Sequence, residues 1–183
     1  MRAFGRPKGM LGKLGGIILA RTKHEFTAWF IELLDIQPHD KVLEVGFGPG
    51  VSIERLATLA SEGYVAGADA SAVMVKQATA RNAEAIKDGR VDLRHGSVEC
   101  LPFDDDAFDK ACAINSMQVW TDATAGLREM RRVLKTGGTI ALGFDPNSRQ
   151  PSSGLPALLT EAGFVQARVI ESHLGFCALA VRS

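Results

Sequence analysis

The chain has 183 residues, 46% apolar and 23% charged, and its 21 basic and 21 acidic side chains cancel to zero formal charge. That length suits one domain with a core of its own, and the charge balance leaves no overall footprint for nucleic acid. Cys100, Cys112 and Cys177 form an odd set without a C-x-x-C pair, which argues against a disulfide framework or a zinc site and fits a reducing cytosol.

Taken in order, the chain begins with Arg2, Arg6, Lys8, Lys13, Arg21 and Lys23, all ahead of the first acid, Glu25. Met10, Leu11, Leu14, Ile17 and Ile18 fall at helical spacing, although Gly9, Gly12, Gly15 and Gly16 weaken a helix there. No apolar run reaches the roughly 20 residues of a membrane-spanning helix. With bases on both sides and no A-x-A site, this stretch reads as mature sequence and not as a signal peptide. Its two readings are a basic amphipathic segment that rests on an anionic membrane or holds an anionic substrate, and a lid with solvated charges. Phe26, Trp29, Phe30, Leu33 and Leu34 then make a helical stripe. Residues 1–38 are read as lid and helix, and 39–183 as the main domain.

Strand and helix alternate from there. Lys41 to Val45 is a strand ending in Gly46-Phe47-Gly48-Pro49-Gly50, and helical spacing follows at Ile53, Leu56, Ala57 and Ala60. Gly63 to Ala68 is a second strand closed by Asp69, and Ser71 caps a helix running to about Ile86. Val91 to His95 is a third strand. Phe108 to Ile114 is a fourth, read as apolar and covered on both faces. A helix over Thr124 to Leu134 stops at Lys135-Thr136-Gly137-Gly138 before a fifth strand, Thr139 to Phe144. After a polar loop come a helix over Leu155 to Ala162 and two strands, Val165 to Ile170 and Phe176 to Val181, close enough to form a hairpin. This order predicts an α/β, Rossmann-like, doubly wound fold: a mostly parallel seven-stranded sheet with an antiparallel last strand and helices on both faces.

A glycine-rich turn between strand and helix lets a ligand approach bare backbone. Dinucleotide sites space their glycines G-x-G-x-x-G; here the third glycine comes one residue early, and Glu44 puts an acid where a pyrophosphate would sit. A cationic ligand suits that better. Asp69, about 20 residues past the turn, can accept the hydroxyls of a ribose; its bland alternative is an acid favoured at a helix N-terminus.

Together these segments resemble the class I S-adenosylmethionine-dependent methyltransferases of the small-molecule, type 11 kind. Val42 to Gly50 resembles that family's first motif, and Gly67 to Ser71 its ribose-binding segment. Gly96 to Phe103 resembles the stretch bordering the adenine. Phe108-Asp109 and Leu134 to Gly138 resemble the start of its fourth strand and the turn before its fifth. The resemblance implies S-adenosyl-L-methionine as cofactor, with Glu44 near the methionine ammonium and Gly46, Phe47, Gly48 and Gly50 beneath the cofactor. It further implies Asp69 on the ribose, Ala70 beside the adenine, Ser97 and Val98 at the adenine edge, and Asn115, Ser116 and Gln118 near the sulfonium and acceptor. Two departures stand out: Ser97 replaces the family's usual Asp, and Phe47 replaces a small residue, either narrowing the pocket or packing on the N-terminal segment.

The implied reaction is in-line methyl transfer to a small or lipid-like acceptor, with no metal. A phospholipid amine or a quinone precursor leads; arsenite would need converging thiolates, and Cys100 alone lies beside a motif. No catalytic residue is required for an amine or thiolate, whereas a hydroxyl or carbon acceptor needs a base. His24 is the candidate base, its alternative being a surface or helix-cap histidine. His39, His95 and His173 read as structural or solvated. A non-catalytic nucleotide-binding module and a nicotinamide-dependent oxidoreductase are the alternatives in other classes. The expected place is the cytoplasm, with residues 1–23 as the route to peripheral contact at the inner membrane face; a homodimer is compatible with this.

Overall fold

A computed structural model describes residue 22 and residues 24–183. The basic amphipathic segment read from the sequence therefore lies almost wholly outside the described residues. Residues 24–34 form helix α1. There follow β1 (Lys41–Val45), α2 (Val51–Leu59), β2 (Tyr64–Asp69), α3 (Ala72–Arg81), α4 (Ala83–Lys87), β3 (Val91–His95), β4 (Phe108–Ile114), α5 (Ala123–Val133), β5 (Leu134–Phe144), α6 (Leu155–Glu161), β6 (Phe164–Ser172) and β7 (Gly175–Arg182). Short 3-10 turns at Val98–Cys100 and Met117–Val119 follow β3 and β4.

The seven strands make one sheet in the order β3-β2-β1-β4-β5-β7-β6. β7 is antiparallel to both neighbours, β5 and β6, and the other pairings are parallel. The expected fold, including the antiparallel last strand, is thus the observed one. Side chains alternate across a strand, and here the alternation separates two cores. Leu43, Val45, Ala111, Ala113, Ile140, Leu142, Ala178 and Ala180 face the apolar sides of α5 and α6. Val42, Val65, Cys112, Ala141, Cys177 and Leu179 face α1, α2 and α3. The aromatic stripe of α1 does pack on the sheet: Phe30 is fully buried, and Gly143 of β5 makes room for it, since a Cβ there would lie 2.4 Å from the Phe30 ring.

Several boundaries differ from the sequence reading for local reasons. The helix expected to run unbroken to Ile86 divides at Asn82, whose buried amide donates to the carbonyls of Gly50 and Ala78 and so ties the break to the glycine-rich turn. β4 is covered on both faces only over Ala111 to Ala113. At its start Asp109 accepts from the Lys41 amide at 2.9 Å and meets the Lys135 ammonium at 2.6 Å. β5 begins five residues early, at Leu134, because Gly137 turns at φ +80° inside the strand instead of ending a helix.

Candidate functional site

Connections leave β1 toward one edge of the sheet and β4 toward the other, so a crevice opens where these adjacent strands end. Five chain segments reach it: Gly46–Gly50 after β1, Asp69–Ser71, Gly96–Glu99, Asn115–Thr121 after β4, and Asp145 after β5. They line three neighbouring clefts of about 280, 300 and 760 Å3, and Asn115 borders all three.

The glycine-rich turn divides its labour. Gly46 has φ +72°, and a Cβ there would lie 2.4 Å from the Ser116 Cβ, while Ser116 Oγ donates to the Val45 carbonyl at 3.0 Å. Close contact between the ends of β1 and β4 thus requires glycine at 46. Gly46→Ala combines that overlap with left-handed strain and is expected to destabilise the protein by about 2 kcal/mol, read from the midpoint of urea unfolding. Gly48, at φ +54°, has nothing within 4 Å of a would-be Cβ, so its bare backbone faces open space. Gly50 is needed elsewhere: a Cβ there would strike Ala78 and Asn82 of the α3–α4 break. Phe47 borders the 300 Å3 cleft. Its ring turns into the core against Gly67 of β2 and Leu93 of β3.

Asp69 is 9% exposed and held at both oxygens, accepting from the Gly48 amide at 2.9 Å and the Ser71 amide at 2.8 Å. Each oxygen keeps a lone pair for another donor. Ala70 borders the smaller cleft, and its carbonyl lies 3.0 Å from His95 Nε2, which gives that histidine a structural partner.

Glu44 points to the α2 side of the sheet and is 1% exposed. Its Oε1 accepts from Ser52 Oγ at 2.7 Å, while the buried Oε2 has no hydrogen-bond partner among the described residues. Burial pushes its carboxyl up to about 7, the Ser52 hydroxyl pulls it down, and the nearby Asp69 charge adds a further upward push. A buried, half-satisfied acid bordering a cleft is costly unless a donor or cation completes it.

Ser97 and Val98 border the smaller cleft, Val98 with its side chain buried under Gly126 of α5. Asn115 (φ +49°) and Asp145 bond reciprocally: Asn115 Nδ2 donates to Asp145 Oδ2 at 3.0 Å, and the Asp145 amide donates to Asn115 Oδ1 at 2.9 Å. Gln118 borders none of the three clefts; its amide donates to the Asn115 carbonyl at 2.9 Å. His24 is exposed at the start of α1 and lines the largest cleft with Phe26, Glu54, Arg55 and Asp145.

Sequence reasoning missed Asp145, Glu99 and Ser52. Asp145 carried a usable signal, since ligands in such sheets gather at the carboxyl ends of strands. Ser52 carried none, being one of two small polar residues, with Thr58, in an amphipathic helix. The three cysteines do not converge: Cys112 and Cys177 are buried in the core and Cys100 is exposed. Among the described residues, no three His, Cys, Asp or Glu side chains group as metal ligands, and no helix is long and apolar enough to cross a membrane.

Comparison with known proteins agrees with this geometry. A family described as a methyltransferase domain matches residues 42–138. The chain is 31% identical over 179 residues to the uncharacterised methyltransferase YdaC of Bacillus subtilis (strain 168), covering 91% of this chain and 97% of that protein. It is 38% identical over 109 residues to a demethylmenaquinone methyltransferase of Corynebacterium urealyticum, covering 60% of this chain and 43% of the relative. Its fold matches the crystal structure of a SAM-dependent methyltransferase from Aquifex aeolicus with a TM-score of 0.77 at 19% identity, over 86% of this chain and 89% of the other. The matched domain, which runs from β1 through the glycine-rich turn into β5, thus makes the chain a member of the class I S-adenosylmethionine-dependent methyltransferases.

Proposed function

We propose that the chain transfers a methyl group from S-adenosylmethionine to a small or lipid-like metabolite by in-line displacement. The observation that carries this reading is Glu44 Oε2, buried without a partner among the described residues beside a turn of bare backbone. A cationic amino-acid tail would complete that acid, and a phosphate would be repelled by it. The residues present therefore fit a positively charged nucleoside. Glu44 would hold the ammonium, Gly46 and Gly48 would lie under the cofactor, and Asp69 would take the ribose hydroxyls with its free lone pairs. Ala70, Ser97 and Val98 would border the base, and Asn115 and Ser116 would sit at the reacting end. When bound, the sulfonium supplies an electrophilic methyl with a good leaving group.

Beyond binding, the chain has to orient an acceptor and exclude water. The 760 Å3 cleft beside Asn115 has the size of a site for a drug-sized molecule, and Phe26, Pro49, Val51 and Ile114 contribute apolar surface to it. An amine or thiolate acceptor needs only placement there. A hydroxyl or carbon acceptor would find His24 and Asp145 lining the same cleft, either able to take its proton. The likeness to a demethylmenaquinone methyltransferase supports an apolar acceptor.

Titration calorimetry with S-adenosylmethionine, S-adenosylhomocysteine and NAD tests the cofactor half: the first two bind and NAD does not. Release of S-adenosylhomocysteine with a panel of quinone precursors and phospholipid amines tests the acceptor half. Turnover of a phospholipid amine also requires the basic N-terminal segment to bring the chain to anionic vesicles at low salt; failure to sediment with them removes that acceptor.

A further inference from the structure

A serine hydroxyl at a base-binding edge is ambiguous, because it can donate or accept. In this protein the ambiguity is removed by a neighbour. Ser97 Oγ donates to Glu99 Oε2. The other oxygen of the same carboxylate accepts the amides of Thr121 at 3.1 Å and Asp122 at 3.2 Å. Glu99 thereby joins two walls of the smaller cleft, the one that follows β3 and the one that follows β4. Its position is fixed from behind as well: Val98 packs on Gly126 of α5, and Asp122 caps that helix by accepting from the Ala125 amide at 2.9 Å.

A carboxylate has no proton to return, so the Ser97 hydrogen is committed to Glu99 and only lone pairs remain on the cleft side. A hydroxyl polarised in this way is also a stronger acceptor than an isolated one. We propose that Glu99 is a positioning residue that sets nucleobase selectivity, by fixing the Ser97 hydroxyl as an acceptor so that the cleft takes a 6-amino purine and rejects a 6-oxo purine. This rests on the cofactor reading above and assigns to a Ser–Glu pair the discrimination that a single acid at position 97 would otherwise supply. With a 6-oxo base, two oxygens would confront each other across the cleft edge, and a site built for a donor discriminates strongly against a ligand lacking it.

The test is calorimetric and needs no methyl acceptor. Wild-type protein is titrated with S-adenosyl-L-homocysteine and with S-inosyl-L-homocysteine, and the ratio of the two affinities is the readout. A ratio of at least ten is expected. In Glu99→Gln the amide oxygen can still accept from Thr121 and Asp122, while the amide NH2 can donate to Ser97 and release its proton toward the cleft. The ratio is then expected to fall to three or below, chiefly through tighter binding of the inosyl compound. A purely structural role for Glu99 would weaken both ligands together and leave the ratio unchanged. Ser97→Ala leaves the carboxylate clamp in place and should also collapse the ratio, which keeps the test decisive if Glu99→Gln does not fold. Folded Glu99→Gln that keeps its tenfold preference overturns the proposal. So does a wild-type protein that binds both ligands equally, although the cofactor reading then stands. Binding of neither ligand overturns the cofactor reading and this proposal with it.

Discussion

Asp69→Ala is expected to lower affinity for S-adenosylhomocysteine by a hundredfold or more, without unfolding the protein. On the proposed reading the carboxylate would offer its remaining lone pairs to two vicinal hydroxyls, and hydrogen bonds to a charged group contribute about 1.5–3 kcal/mol each. Two of them correspond to at least about 3 kcal/mol, or two decades of affinity. The substitution also releases the amides of Gly48 and Ser71, which Asp69 now fixes at 2.9 and 2.8 Å, so the turn under the ligand loses its anchor as well. Both bonds are only part-buried, so water can replace the lost acceptor and the fold should tolerate the change. Asp69→Asn separates the two contributions: an amide oxygen can hold one backbone N–H but cannot accept two hydroxyls as an anion does, so an intermediate loss of about tenfold is expected. Calorimetry on the folded variants reads both values. Affinity in Asp69→Ala within threefold of wild type would remove this residue from the site.

Asp69 and the glycine-rich turn are legible in the amino-acid sequence because strand, turn and helix are contiguous, and the distance between them is set by one β-α-β unit. The strand succession is legible for the same reason, and the short link at His173-Leu174 announces the antiparallel β7. What the sequence hides depends on contacts between distant residues. The chain breaks at Asn82 because its amide finds Gly50, 32 residues earlier. Phe47 turns inward because Gly67 leaves a gap on β2. Gly50 is required by Ala78 and not by the crevice. Asp145 belongs to the crevice only because β5 lies beside β4, which brings it to Asn115. Propensity and spacing carry none of these pairings, so they identify the residue types at the crevice while missing some of the reasons those residues are there.

On the proposed cofactor reading Glu44 would place stability and binding in opposition, and Glu44→Gln should expose this. Its carboxyl sits at about 7 in the folded protein against an ordinary 4.5. Between those values the native state holds a proton that the unfolded chain has released, so stability falls as pH rises from about 4.5 to about 7 and is level outside that window. A difference of that size amounts to about 3 kcal/mol. Among the described residues the groups facing the carboxyl cannot relieve it: Ser52 already donates, Asp69 repels, and the buried Cys112 thiol is pushed well above its ordinary range, first by burial and then by Glu44 itself. Glutamine can keep the Ser52 bond and never ionises. The unliganded variant should therefore gain about 1–3 kcal/mol at pH 8 relative to wild type and little at pH 4, measured by urea unfolding at both values. Binding should move the other way. A cationic ligand favours the ionised acid, so wild-type affinity rises with pH up to about 7 and then levels, and below 7 each ligand bound releases a proton. Calorimetry at pH 6 in two buffers of different ionisation enthalpy would show that proton as a difference in observed heat, absent in Glu44→Gln, whose affinity should fall at least a hundredfold at pH 8. An affinity in wild type that stays constant from pH 5.5 to 8 would show that Glu44 does not meet the ligand's charge, and the buried acid would then be only a cost that the fold carries.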